Sequence, residues 1–95
     1  MTRPQIVTID LGGLQGEEEL HECLAQALGF PDWYGRNWDA FWDAITGLVD
    51  MPEVLEFLGW SVFAATMPTE SNQLTELFRE MNKKYPAWAP KVICR

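Results

Sequence analysis

The 95-residue sequence holds two cysteines and a single histidine, and these scarcities remove whole classes of chemistry. Cys23 and Cys94 are too few for a disulfide-stapled scaffold, so both are expected as reduced thiols, Cys23 on the apolar face of a helix. His21 has no second ligand or base at motif spacing, so a zinc site or a Cys/His catalytic pair lacks its parts. It reads as an ordinary surface or helix-lining side chain. Gly12, Gly13 and Gly16 lack the Lys and Ser/Thr of a phosphate-binding loop and read as turn residues. No cofactor and no metal are implied.

Positive charge is scarce as well: seven Lys and Arg oppose fourteen Asp and Glu, for a net charge of -7. Nucleic acid needs Lys and Arg to neutralise its phosphates, so direct binding of DNA or RNA is not expected. A basic protein partner suits this charge better. No apolar run approaches the roughly 18 residues that cross a membrane, and Met1 to Asp10 carry one Arg and no long apolar stretch. Neither a membrane segment nor a signal peptide is expected, which makes the cytoplasm the default location.

What is present suffices for one domain over residues 1–95, with 47% hydrophobic residues to build a modest core. Ile6, Val7 and Ile9 form a β-branched run that stops at Asp10 and the Gly12-Gly13 turn, predicting a first strand. Leu20, Cys23, Leu24, Ala27 and Leu28 recur at helical spacing from about Glu17, and Gly29 stops that helix. Glu53 to Leu58 predicts a strand after Pro52, ended by Gly59. Trp60 to Met67 then predicts a short helix, unless Ser61 to Ala65 is the strand instead. Leu74, Leu77, Phe78 and Met81 mark a last helix capped by Thr69 or Ser71, with Glu80 and Lys84 paired one turn apart. Val92 to Cys94 closes the chain as a strand. Strands at the start, middle and end, separated by helices, predict an α/β fold with a small parallel sheet covered by helices.

Between the first helix and the middle strand lies the segment with the most chemistry. Phe30 to Gly35 places three aromatics between turn residues, and Asn37 is a plausible N-cap for a helix running to about Gly47. At 100° per residue, Trp38, Phe41, Ile45 and the following Leu48 fall on one side. Asp39, Asp43 and Thr46 fall on the other, with Trp42 at the boundary. From Asp32 to Glu56, six acids face only Arg36, a local net charge of -5. Asp39 and Asp43 repel at their i, i+4 spacing. They could be an acid/base pair, charges held for a cationic partner, or a plain solvated face. An acid/base pair across a glycoside needs a cleft between its carboxylates, which one helix does not provide. A rigid Trp beside carboxylates is instead the composition of a protein-binding hot spot.

Pro31-Asp32-Trp33-Tyr34-Gly35-Arg36-Asn37-Trp38-Asp39-Ala40-Phe41-Trp42-Asp43, followed by Thr46-Gly47, resembles the central signature of the barstar family, intracellular inhibitors of a secreted bacterial ribonuclease. The resemblance extends to the first strand and helix, to Pro52–Phe57, and to Leu77-Phe78-Arg79-Glu80. It implies three parallel strands packed with about four helices, and a non-enzymatic inhibitor whose loop and second helix enter the nuclease active site. By position, it implies Trp33 as an aromatic anchor, Gly35 as a close backbone approach, and Asn37 as the cap. Asp39 and Asp43 match the inhibitory aspartates, Asp43 standing in for substrate phosphate, and Trp42, Thr46 and Glu80 match further contacts. The expected partner is a basic nuclease, a ribonuclease toxin against which this chain confers immunity, bound by a chain that is monomeric beforehand. A binding module for a non-nuclease basic protein is the alternative. Trp33, Arg36 and Leu48 depart from the family pattern of tyrosine, acid and tryptophan. Arg36 is the departure with most consequence, since it puts a positive charge beside the expected contact surface.

Overall fold

The computed structural model describes residues 5–95. The expectation of no leader at Met1 to Asp10 therefore concerns in part residues 1–4, outside the described ones. Along the chain run β1 (Ile6–Asp10), α1 (Glu17–Leu28), α2 (Trp38–Asp43), a π turn (Ala44–Leu48), β2 (Val54–Leu58), α3 (Trp60–Thr66), α4 (Pro68–Lys84) and β3 (Lys91–Cys94). The three strands form one parallel sheet in the order β1-β2-β3, with Ile6 opposite Val54 and Val54 opposite Lys91. This is the predicted α/β architecture. No helix among the described residues is long and apolar enough to cross a membrane.

The period of two along each strand sorts the sheet into two faces. Val7, Ile9, Leu55, Phe57 and Val92 join the core beneath the helices. On the opposite face Thr8 donates a hydrogen bond of 3.0 Å to Glu56, which also pairs with Arg95. From the helices, Leu20, Leu24, Phe41, Phe63, Leu74 and Met81 fill the core. Each such side chain contributes about 1.5–3 kcal/mol on burial. Cys23 is half-buried against this core and Cys94 is exposed, and both are free thiols.

Strand β2 ends at Gly59, whose backbone takes a left-handed φ of 68° to turn into α3. A side chain there would meet the Gly12 backbone at 2.7 Å. The position therefore needs glycine for both reasons, and the ends of β1 and β2 can close on each other. The expected caps of the last helix are corrected. Helix α4 begins earlier, at Pro68, with Met67 as an N-cap that makes no side-chain bond. Proline has no N–H to satisfy at the first helical position and brings its φ preset, so neither Thr69 nor Ser71 is required to start the helix. Ser71 donates instead to the Pro68 carbonyl at 3.0 Å.

Candidate functional site

Segment 30–48 is mounted on the core through its aromatic rings. Phe30 packs against Tyr34 and Phe41, with centroids 4.9 and 5.7 Å apart, while Phe41 meets Trp38 at 5.4 Å and Phe78 of α4 at 5.9 Å. Trp38 and Phe41 therefore face the core, as their spacing predicts. Tyr34 is buried, whereas its neighbour Trp33 is 72% exposed. The two adjacent aromatics thus divide the work of the loop: one anchors it and the other projects from it.

Beneath Tyr34 lies His21, which is fully buried. Its expectation as a surface or helix-lining residue is corrected in its first half, because the loop folds over α1 and covers it. Nδ1 of His21 shares a hydrogen bond of 2.6 Å with the Tyr34 hydroxyl, which also lies 3.4 Å from the Asn37 carbonyl, and Nε2 faces the Glu17 carboxylate at 3.9 Å. Burial holds His21 below the ordinary imidazole pKa against the opposing pull of Glu17. Burial likewise raises the Tyr34 phenol well above its usual value. Both groups are neutral at physiological pH, which suits a buried anchor.

The start of α2 follows the expected capping chemistry. Asn37 accepts from the Ala40 amide at 2.7 Å through its side-chain oxygen and donates to the Gly35 carbonyl at 3.2 Å. A Cβ on Gly35 would stand 3.2 Å from the Ala40 Cβ and 3.4 Å from the Asn37 amide nitrogen. Glycine here lets the loop lie close against the helix mouth. Asp39 and Asp43 are both exposed, and none of the ion pairs among the described residues takes either of them.

Arg36 does not extend a free positive charge across this surface. It occupies a left-handed φ of 54° and turns toward α1, where it pairs with Glu22 and, at 3.5 Å, with Glu18. Its side chain is still 48% exposed, so the charge stays beside the surface while paired with α1. Of the six acids in residues 32–56, Glu56 sits on the sheet, as its expected strand implies, and pairs with Arg95.

After Asp43 the helix widens into a π turn, in which Val49 donates to Ala44 at 3.1 Å. The wider i→i+5 turn changes the angular phase of everything after it. Leu48, expected on the apolar side with Phe41 and Ile45, is 46% exposed as a result. Thr46 is half-buried and donates to the Trp42 carbonyl at 2.6 Å. Trp42 is half-buried too, 6.4 Å from the Tyr85 ring, with Lys84 Nζ 5.9 Å from its centroid. The expected Glu80–Lys84 pair is present at 3.9 Å, so Lys84 links Glu80 of α4 to Trp42 of α2.

The structure thus gathers the sequence-predicted residues around one helix: Trp33 and Gly35 in the loop, Asn37 at the cap, and Asp39, Trp42 and Asp43 along α2. Thr46 follows in the π turn, and Glu80 adjoins through Lys84. Sequence reasoning missed His21 and Tyr34 as the anchor and Tyr85 as the ring behind Trp42. Nothing local marks contacts between residues so far apart in the chain.

The family whose profile is described as "Barstar (barnase inhibitor)" matches residues 4–93. A protein of Bacillus subtilis (strain 168), named "Putative ribonuclease inhibitor YrdF", is 33% identical over 78 residues, covering 82% of this chain and 86% of that protein.

Proposed function

The chain belongs to the barstar family, and on that premise we propose that it is a non-enzymatic inhibitor of a basic bacterial ribonuclease, protecting the producing cell from that toxin. One observation carries the reading: Asp39 and Asp43 stand exposed and outside every ion pair among the described residues, on the helix that also carries half-buried Trp42 and follows the loop of exposed Trp33. Two like charges one helical turn apart destabilise a free helix by a few tenths of a kcal/mol. A cationic active site removes that repulsion and adds charge-assisted hydrogen bonds.

The proposed mechanism is electrostatic and steric. The acidic face speeds encounter with a basic enzyme, an effect that weakens as salt is added. In contact, Asp43 takes the place of a substrate phosphate, Asp39 pairs with a neighbouring cation, and Trp33 and Trp42 exclude water around them. Asn37 and Gly35 hold the loop against α2, while Thr46 and Glu80 complete the rim. No reacting group is needed, because occupying the site blocks it. The cytoplasm is where such protection is required.

The test is whether the chain co-purifies with, and inhibits, a secreted bacterial ribonuclease, beginning with any nuclease encoded beside this gene. Asp43→Ala is expected to weaken inhibition by at least about tenfold while leaving the unfolding midpoint unchanged or slightly raised, since it also removes the repulsion with Asp39. Full inhibition by that variant would show the proposed mode to be wrong. A partner without nuclease activity would sink the inhibitor reading itself.

A further inference from the structure

Strand β3 closes one side of the sheet, and its outer backbone has no neighbouring strand among the described residues. The amides of Lys91 and Arg95 donate to the carbonyls of Glu53, just before β2, and of Phe57 within it, each at 2.8 Å. Each residue of a parallel strand turns its N–H and C=O to one side, and the next residue turns them to the other. Val92 and Cys94 therefore point theirs away from β2, and no hydrogen bond among the described residues takes either amide. Beside this edge, on the core side of the sheet, a groove of about 520 Å³ runs between β3 and α4 over Phe57, Trp60, Leu74, Phe78 and Val92. Arg79 and Lys91 are the charged residues of its lining, both positive, and none of the proposed nuclease contacts belongs to it. The surrounding segment has the same sign: from Arg79 to Arg95 five Lys and Arg face only Glu80, a side-chain net charge of +4 in a chain of net charge -7.

We propose that this edge receives an extended segment of a partner protein in which acidic and apolar residues alternate, its backbone paired with that of Val92 and Cys94. Side chains along a strand alternate between the two faces. Those of Val92 and of Cys94, which is in register with Phe57, lie on the groove side. Lys91, Ile93 and Arg95 lie on the other, where Arg95 meets Glu56. An added strand thus sends every second side chain into the apolar groove and sets the rest beside Lys91 and Arg95, where acids are the complementary residues. Lys91 enters no ion pair among the described residues, so its charge is available. A second copy fits poorly. Its β3, paired antiparallel about Ile93, would set Lys91 of one copy against Arg95 of the other, and a lysine on a short edge strand guards against such pairing. Its β1 has Val7 and Ile9 committed to their own core, so they cannot fill the groove of a neighbour. The inference goes beyond the inhibitor reading and does not depend on it.

The experiment titrates the full-length chain into a dye-labelled nine-residue peptide, blocked at both ends, that alternates Asp with Val, and follows fluorescence anisotropy. This peptide should bind at least about tenfold more tightly than one with Lys in place of each Asp, or one with the same residues in two blocks. N-methylation of one alternate set of its amides, at the valines or at the aspartates, should weaken binding about tenfold or more, and of the other set under about threefold, because only one set faces β3. Cys94→Pro removes an outward amide that β2 does not use, and should lose about tenfold at a nearly unchanged unfolding midpoint. Should that variant unfold, the N-methylated peptides decide, since they leave the protein unaltered. Lys91→Glu should weaken binding by about threefold to tenfold, and Asp43→Ala should bind as wild type does. Equal binding of the lysine peptide would overturn the acidic occupant. Equal binding of both N-methylated forms would overturn the backbone pairing and leave the groove to side chains alone. A wild-type chain that elutes as a dimer, and as a monomer with Cys94→Pro, would make a second copy the occupant and overturn the assignment. No saturable binding of the alternating peptide up to about 1 mM would overturn the inference and leave the inhibitor reading standing.

Discussion

The Tyr34 hydroxyl meets Nδ1 of His21 at 2.6 Å in the interior, joining the loop that carries Trp33 to the first turns of α1. Tyr34 has buried its ring, so the adjacent Trp33 has no room beneath the loop and stands in solvent. The exposure of one aromatic is thus a consequence of the anchoring of the other.

Tyr34→Phe tests that anchor. The ring still fills its space, but His21 Nδ1 loses its partner while buried, a loss of about 1–3 kcal/mol. Urea unfolding should show a lower midpoint at unchanged slope. If the midpoint does not move, the hydrogen bond does not hold the loop.

Stability should also fall on mild acidification. Burial lowers the His21 pKa below its ordinary 6.5, so the unfolded chain takes up a proton more readily than the folded one. The contribution is complete above the unfolded value and is lost as pH falls through 6.5 toward the folded value. His21 is the sole histidine. Unfolding midpoints measured from pH 7.5 to 5 should therefore decline in wild type and stay nearly flat in His21→Gln, whatever that variant's starting stability. Glu56, held low chiefly by its hydrogen bond from Arg95, adds a loss of the same sign only in the carboxylate range. Burial raises Glu70, which opposes that loss.

Asn37→Ala and Gly35→Ala should separate capping from close approach. The first removes the bond to the Ala40 amide and should lower stability by about 1 kcal/mol. The second keeps the cap atoms but introduces a methyl 3.2 Å from the Ala40 Cβ, pushing the loop from the helix. Nuclease inhibition by Gly35→Ala should fall further than its unfolding midpoint accounts for. Equal effects on both would mean that the loop position is irrelevant to binding.

Arg36 offers a test of backbone against charge. Arg36→Ala loses the pairs with Glu18 and Glu22, which as exposed contacts contribute under about 1 kcal/mol, and keeps a Cβ in the left-handed region. Arg36→Gly loses the same pairs but relieves that Cβ, so it should be the more stable of the two. Thermal unfolding of both variants gives the order, and the reverse order would show that left-handed strain is absent at this position.

Much of the framework is legible because it depends on near neighbours. The β-branched run at Ile6 to Ile9, the helical recurrence from Leu20 to Leu28 and the stop at Gly29 each act within a few residues. The order of strands and helices then restricts the sheet to parallel pairing. Asn37 was readable as a cap for the same reason, and the spacing of Asp39 and Asp43 put both on the outer side of α2. Leu48 was misread because a constant 100° per residue fails where the π turn widens the helix. The partners of Arg36, Glu18 and Glu22, were not legible because they lie on the preceding helix.

By itself, then, the sequence determined most of the elements, their order and the acidic excess, since backbone preference and net charge are local or additive properties. The tertiary structure decided which charges remain outside ion pairs and which aromatics remain exposed. Packing distant segments together paired Arg36 with α1 and buried Tyr34 over His21. It left Asp39, Asp43 and Trp33 facing water, because pairing and burial depend on what the rest of the chain brings within a few ångströms.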